Sequence, residues 1–152
     1  MKRTTILICL FACVSFACEE QKLQSQIDRE TIEEYLAANN IDAIEDQSGL
    51  FYIVTQDGTG EERPGPNSTV EVKYRGYFTD GTVFDQSRGD NTAEVDLNNT
   101  ILGWRIGVPL MKKGEKTTFF LPSGLAYGFR GSGPVPPNTV IIFDVELFNF
   151  SG

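Results

Sequence analysis

The sequence predicts an α+β fold: a strongly bent antiparallel β-sheet wrapped around one short helix, preceded by a short helical N-terminal arm. Three observations lead there. Several short runs rich in β-branched and aromatic residues alternate apolar and polar with period two. Turn formers separate them, 15 Gly and 7 Pro, most in the later two thirds of the chain. Between the runs lies one short apolar segment, Trp104 to Met111, and Pro109 inside it limits a helix there to about two turns.

The chain opens with an address. Lys2 and Arg3 form a positive region, and Ile6 to Phe16 an apolar stretch broken by Ser15. That stretch is too short to span a bilayer as a mature helix. Ala17-Cys18 ends it, and Glu19 and Glu20 follow. The pattern resembles a bacterial lipoprotein signal, in which the Cys after the cleavage site is diacylated on its thiol and becomes the new N-terminus. It implies a signal peptide over residues 1–17 and lipidation at Cys18. Phe16 is bulkier than usual for such a site, and Leu10-Phe11-Ala12-Cys13 competes with it. An ordinary secretory signal is the remaining alternative. Two or more acyl chains anchor a protein stably. Glu19 rather than Asp after Cys18 favours, by analogy, the outer membrane of a Gram-negative-type envelope, facing the periplasm or the exterior.

Residues 18–48 form an acidic arm. Within it Asp28 to Asn40 reads as a helix, with Asp28 as N-cap. Ile27 and Ile32 sit at the spacing of a hydrophobic staple. Ile32, Tyr35 and Leu36 share a face, and Asn39-Asn40 is the stop. The expectation is a spacer whose helix docks weakly on a monomer; dimerisation through this stripe is the alternative.

The main domain is expected over residues 49–152. Leu50 to Gln56 reads as a strand, then turns run through Asp57-Gly58 and Arg63 to Asn67. Thr69 to Phe78 is a second strand, with Val70, Val72, Tyr74, Gly76 and Phe78 on one face and Glu71, Lys73 and Arg75 on the other. Asp80-Gly81 is a hairpin signal. The strand after it carries Val83, Phe84 and Asp85, and residues 86–92 form a loop. Val95 and Leu97 alternate with Glu94, Asp96 and Asn98 in another strand. Lys116 to Leu121 is a strand, Pro122 to Asn138 a long turn-rich segment. Val140 to Phe150 closes the sheet, with Ile141, Phe143, Val145 and Leu147 alternating with Ile142, Asp144, Glu146 and Phe148.

Composition narrows the chemistry. Removing Lys2 and Arg3 with the leader takes the formal charge from −8 to −10, which disfavours nucleic acid. The chain has no His, which excludes Ser-His-Asp and Cys-His catalysis and any His-based metal site. Cys9, Cys13 and Cys18 are the three cysteines, so the domain beyond them has no disulfide, zinc-thiolate site or Cys nucleophile. No cofactor and no metal is expected.

Three constellations remain. The first is Tyr74-x-Gly76-x-x-x-Asp80-Gly81-x-x-Phe84-Asp85. The second is Ile101-x-Gly103-Trp104-x-x-Gly107-x-x-x-Met111-x-x-Gly114-Glu115. The third is Leu125-Ala126-Tyr127-Gly128, then Pro136-Pro137-Asn138-Thr139 and Phe143-Asp144-Val145-Glu146-Leu147. Singly, each aromatic reads as core and each Asp or Gly as turn. Together, over residues 49–150, they resemble the FKBP family of peptidyl-prolyl cis-trans isomerases.

The resemblance implies a shallow proline pocket lined by Tyr74, Phe84, Asp85, Ile101, Trp104, Tyr127 and Phe143, with Trp104 as its floor. In the family's scheme the Ile101 backbone N–H holds the chain beside the proline, and the Tyr127 hydroxyl donates to substrate backbone. Asp85 sets the local field rather than acting as a base. Departures fall on the rim: Val95 where the family often has an aromatic residue, Thr100 where Val is common, and Ser132 to Val135 where many members are bulkier. Val95, Thr100 and Val135 are therefore candidate substrate contacts of altered character, and macrolide inhibitors are expected to bind more weakly. The implied role is a folding helper acting on X-Pro segments of exported proteins. The alternative is a non-catalytic module that binds proline segments or acts like a chaperone.

Overall fold

The computed structural model describes residues 22–89 and 91–152. The leader and Cys18 lie outside the described residues. The elements in order are helix α1 (22–38), β1 (Ile44–Glu45), β2 (Phe51–Gln56), β3 (Thr69–Tyr77), β4 (Val83–Gln86), β5 (Ala93–Asp96), α2 (Leu102–Gly107), β6 (Lys116–Leu121) and β7 (Ile141–Ser151). Short 3-10 turns occupy Leu97–Asn99, Val108–Leu110, Ser123–Leu125 and Gly128–Arg130.

The strands form one antiparallel sheet in the order β1-β2-β6-β7-β3-β4. β5 also pairs with β3, at residues 69–72, whereas β4 pairs at 75–77. Because β7 runs along the other side of β3 for its full length, β4 and β5 share one edge end to end. The short α2 lies in the concavity of the bent sheet. Its Gly107 lets it come close: a Cβ there would sit 2.8 Å from Phe119 Cε1 and 3.1 Å from Leu50 Cδ2. Pro109 falls in the 3-10 turn that follows α2, which ends the helix as its missing N–H requires. Val70, Val72, Trp104, Phe119, Phe143, Val145 and Leu147 bury the concave face against α2.

The other face carries a second core. Ile32 and Leu36 of α1 pack there with Phe51, Phe120, Val140 and Ile142, and Tyr35 meets the Phe120 ring at 5.9 Å. Ile142, on the opposite face from Ile141 and Phe143, is also fully buried because α1 covers it. The arm also contributes β1, which the polar composition of that stretch concealed. Arg29 connects the two: it pairs with Glu33 at 2.9 Å, forks onto Glu45 and lies 5.6 Å over Phe51. The arm is thus docked firmly rather than weakly.

Two local readings of the arm are corrected. Asp28 is not an N-cap, since helix residues precede it from 22 onward. It lies inside α1, 2 % exposed, and its Oδ2 accepts from the Ser123 N–H at 2.8 Å and the Ser123 hydroxyl at 2.6 Å. Gln24 Nε2 donates to the other oxygen at 2.7 Å. Ile27 does not staple to Ile32: it stays exposed while Ile32 is buried, because five residues put them on different sides of a helix. The stop at Asn39-Asn40 is as expected, with Asn40 in the left-handed region at φ 54°.

Candidate functional site

The site is a pocket of about 240 Å³ on the concave face, lined by Tyr74, Asp85, Val95, Asn99, Thr100, Ile101, Trp104, Tyr127 and Phe143. Four segments build it. β3 directs Tyr74 inward by the same alternation that buries Val70 and Val72. β4 and β5, sharing the β3 edge, bring Asp85 and Val95 to its two ends. Ile101 is the residue before α2, and Trp104 is in that helix's first turn. β7 contributes Phe143, and the turn after β6 contributes Tyr127.

Three rings form the base. Trp104 meets Tyr74 and Phe143 edge to face, each with centroids 5.3 Å apart, and Tyr74 and Phe143 stand 6.2 Å apart. Edge-to-face pairs place positive ring edges against negative faces and fix the rings' angles. Trp104 is 5 % exposed, as a floor should be. Phe84 is not on the lining. It stands behind, edge to face with Phe143 at 5.6 Å and tilted against Phe78 at 5.0 Å. Gly76 makes room for that buttress, since a Cβ there would lie 2.6 Å from Phe143 and 2.8 Å from Phe84.

The polar groups are few. The Tyr74 hydroxyl donates to Asp85 Oδ2 at 3.0 Å. Burial first, then that carboxylate, pushes the Tyr74 phenol up to about 12. Tyr127 is raised too, by burial and then by the field of Asp85. Both phenols therefore keep their protons across the ordinary pH range. The Ile101 N–H donates to no group among the described residues. No group of three or more His, Cys, Asp or Glu among the described residues is placed to hold a metal ion.

Val95 and Thr100 line the pocket as expected of rim residues. Val135 does not: it is 4 % exposed and belongs to the concave-face core, held by an isolated bridge with Ser132. Its place in a Gly- and Pro-rich stretch gave no sign of burial. Asn99 is a lining residue that sequence reasoning missed. It falls in a 3-10 turn capped by Asp96, where an Asn reads as a turn former.

A larger concavity, about 560 Å³, opens on the opposite side of the sheet among Lys73, Arg75, Lys116, Asp144 and Glu146. Its charges are engaged with one another and with neighbouring hydroxyls: Lys116 pairs with Glu146 at 3.4 Å, and Thr118 donates to Asp144 at 2.8 Å. It lacks the dry aromatic walls of the smaller pocket.

A family model of the FKBP-type peptidyl-prolyl cis-trans isomerases matches residues 60–148, which include this whole pocket. The chain belongs to that family. Among its relatives, the FKBP-type peptidyl-prolyl cis-trans isomerase FkpA of Aeromonas hydrophila is 50 % identical over 119 residues, 76 % of this chain and 44 % of the relative. The outer membrane protein MIP of Legionella longbeachae is 39 % identical over 104 residues, 67 % of this chain and 44 % of that one. The chain spans about half the length of the curated relatives it matches. A solved peptidyl-prolyl cis-trans isomerase from Pseudomonas syringae superposes with a TM-score of 0.72 at 30 % identity, covering 84 % of this chain and 96 % of that one. FkpA from Escherichia coli gives 0.72 at 31 % identity, over 99 % of this chain and 74 % of the other. The bent sheet with one enclosed helix is the FKBP fold.

Proposed function

We propose that this FKBP-type chain catalyses cis-trans rotation about X-Pro bonds of exported proteins, as a folding helper held in the cell envelope. The observation that carries the reading is the base of Trp104, Tyr74 and Phe143, with Trp104 edge to face against both other rings under a small pocket of about 240 Å³. Drug-sized sites occupy about 300–1,000 Å³.

Rotation about an X-Pro bond makes and breaks no covalent bond. The barrier of about 18–20 kcal/mol comes from amide resonance, and uncatalysed exchange takes tens to hundreds of seconds. In the twisted state the carbonyl is less polar and the proline nitrogen more basic. Water stabilises the planar amide; dry aromatic walls favour the twisted one. The pocket thus works by binding the transition state more tightly than the ground state. Trp104 forms the floor under the proline ring. The Ile101 N–H fixes the chain beside the proline, and Tyr127, kept protonated, donates to substrate backbone. Asp85 orients Tyr74 and sets the field over both phenols. Phe84 acts through Phe143, as a positioning residue. Val95 and Thr100 make the rim that selects flanking residues.

The rest of the reading follows the sequence: signal peptide 1–17, a lipidated arm 18–48 joined to the membrane through Cys18, and the isomerase domain 49–152, acting as a monomer in the outer membrane. Among the described residues no helix is long and apolar enough to cross a membrane. Cys18→Ser in the full chain is expected to release the protein from membranes.

The deciding experiment follows cis-to-trans exchange of an X-Pro peptide by NMR, with residues 19–152, with and without rapamycin. Acceleration that the macrolide blocks, and that Asp85→Ala lowers about tenfold, roughly 1.4 kcal/mol of barrier, supports the isomerase. No acceleration by a folded chain sinks it.

A further inference from the structure

Phe129 is the most exposed large apolar side chain among the described residues, at 71 %. Single exposed apolar residues are common and by themselves need no explanation, so the weight rests on where Phe129 is held and how firmly. It is the middle residue of the 3-10 turn Gly128–Arg130, which follows Tyr127 directly. Gly128 at φ 59° and Gly131 at φ 63° close the turn in the left-handed region that favours glycine. The Gly128 carbonyl accepts from the Asn138 N–H at 2.8 Å, and Ser132 and Val135 exchange two backbone hydrogen bonds of 2.9 Å. A Cβ at Gly131 would lie 2.8 Å from the Pro136 carbonyl carbon and 2.9 Å from the Pro137 nitrogen, so the turn is packed tightly onto the Pro-Pro segment. The Arg130 guanidinium lies 5.3 Å from the Phe129 ring centroid and packs along it.

The stiff turn therefore presents an aromatic ring to solvent two residues beyond a pocket wall. Consecutive Cα atoms lie about 3.8 Å apart, so Phe129 is within one side-chain length of Tyr127. The pocket itself is small, about 240 Å³. A client chain with its proline seated must run its neighbouring residues over the rim. Leu102, also exposed, follows the lining residue Ile101, so a second apolar side chain adjoins the pocket lining along the chain.

We propose that Phe129, braced by Arg130, is a client-binding contact outside the proline pocket, which takes an apolar side chain from the segment flanking the X-Pro bond in an unfolded protein. It rests on the isomerase reading and deepens it: short peptides engage the pocket alone, whereas unfolded chains engage pocket and ring together.

The test uses the full-length protein in three forms: wild type, Phe129→Ser and Phe129→Leu. Binding is read by fluorescence anisotropy with a reduced, carboxymethylated unfolded protein as the probe, and turnover by exchange of a proline tetrapeptide. Phe129→Ser is expected to weaken binding of the unfolded probe about tenfold, and Phe129→Leu to recover most of it. The ratio of activity on the unfolded protein to activity on the tetrapeptide falls by a similar factor in the Ser variant, through KM rather than kcat. Probe binding within twofold of wild type for Phe129→Ser overturns the proposal. So does equal loss on both substrates, which would assign Phe129 to the pocket or to the fold. A wild type that binds the unfolded probe but leaves the tetrapeptide untouched overturns the isomerase reading, while the anisotropy still decides the role of Phe129.

Discussion

The two faces of the sheet are both rich in aromatic residues, yet they are finished in opposite ways. On the outer face, α1 fills the space over Phe51, Phe120 and Ile142 with Ile32 and Leu36. On the concave face, α2 fills one part and leaves a pocket over Trp104, Tyr74 and Phe143. The filled face gains from burial alone, at about 1.5–3 kcal/mol for each large apolar side chain. The concave face buries a larger cluster under α2, and over the part it leaves open its rings brace one another: Tyr74, Trp104, Phe143, Phe84 and Phe78 form a continuous chain of contacts. The outer face thus serves stability alone, while the concave face carries both the larger core and the site, the two joined by shared strands.

The sharpest way to separate the faces is to empty the filled one. Ile32→Ala deletes a side chain that is 1 % exposed. It is expected to cost about 2–5 kcal/mol, seen as a lower denaturation midpoint, while kcat/KM per folded molecule stays within twofold. A parallel loss of activity in the folded fraction would show that the faces are not separable.

Asp28→Ala tests a buried polar tie between them. It leaves the two Ser123 donors buried without an acceptor, at about 1–3 kcal/mol. Asp28→Asn retains an acceptor and is expected to recover part of the loss in chemical denaturation. Because Ser123 opens the segment that leads to Tyr127, the same variant measures by its KM how much of the pocket wall is set from α1.

On the open face, Tyr127→Phe removes a donor and keeps the ring. It is expected to lower kcat/KM about fivefold, roughly 1 kcal/mol, with little change in the denaturation midpoint.

The smallest effect concerns pH. The Tyr74 phenol is raised to about 12 in the fold and sits near 10 when unfolded; Tyr77 and Tyr127 are raised as well. A group with a raised folded pKa favours the native state fully below its unfolded value. That contribution is lost as pH climbs from about 10 through 12. Activity and stability are therefore expected to show no tyrosine titration between pH 6 and 9, and stability to decline above 10 in a pH series of thermal melts.

How far the sequence could be read follows the same division. The period-two pattern of β3 was legible because one of its faces is buried and the other carries Glu71, Lys73 and Arg75. β6 came out over its observed residues, and α2 shifted only toward Leu102, since Ile101 rather than Trp104 precedes its first turn. Most of the pocket lining was legible through family resemblance, because its order along the chain is distinctive, whereas Phe84 and Val135 fall off the lining and Asn99 was missed. The outer face was not legible. Asp28 carries a strong local signal for a cap, and nothing nearby in sequence announces a partner 95 positions away. Ile142 alternates with Ile141 and Phe143, and its burial depends wholly on where α1 docks. Val135 is likewise buried by distant packing that a turn-rich neighbourhood conceals.

The place of β7 has a consequence for how such a chain comes into being. Residues 141–151 form the last strand in the sequence, yet they lie inside the sheet, between β3 and β6. Until they emerge, the strands before them have no common neighbour to join, and β2 with β6 remains separate from β3 with β4 and β5. Vectorial synthesis therefore delivers the keystone at the end, and the fold closes through contacts of long sequence separation, which form slowly. Any step that must thread the chain unfolded has that interval to work in, because the sheet cannot close while its middle strand is missing.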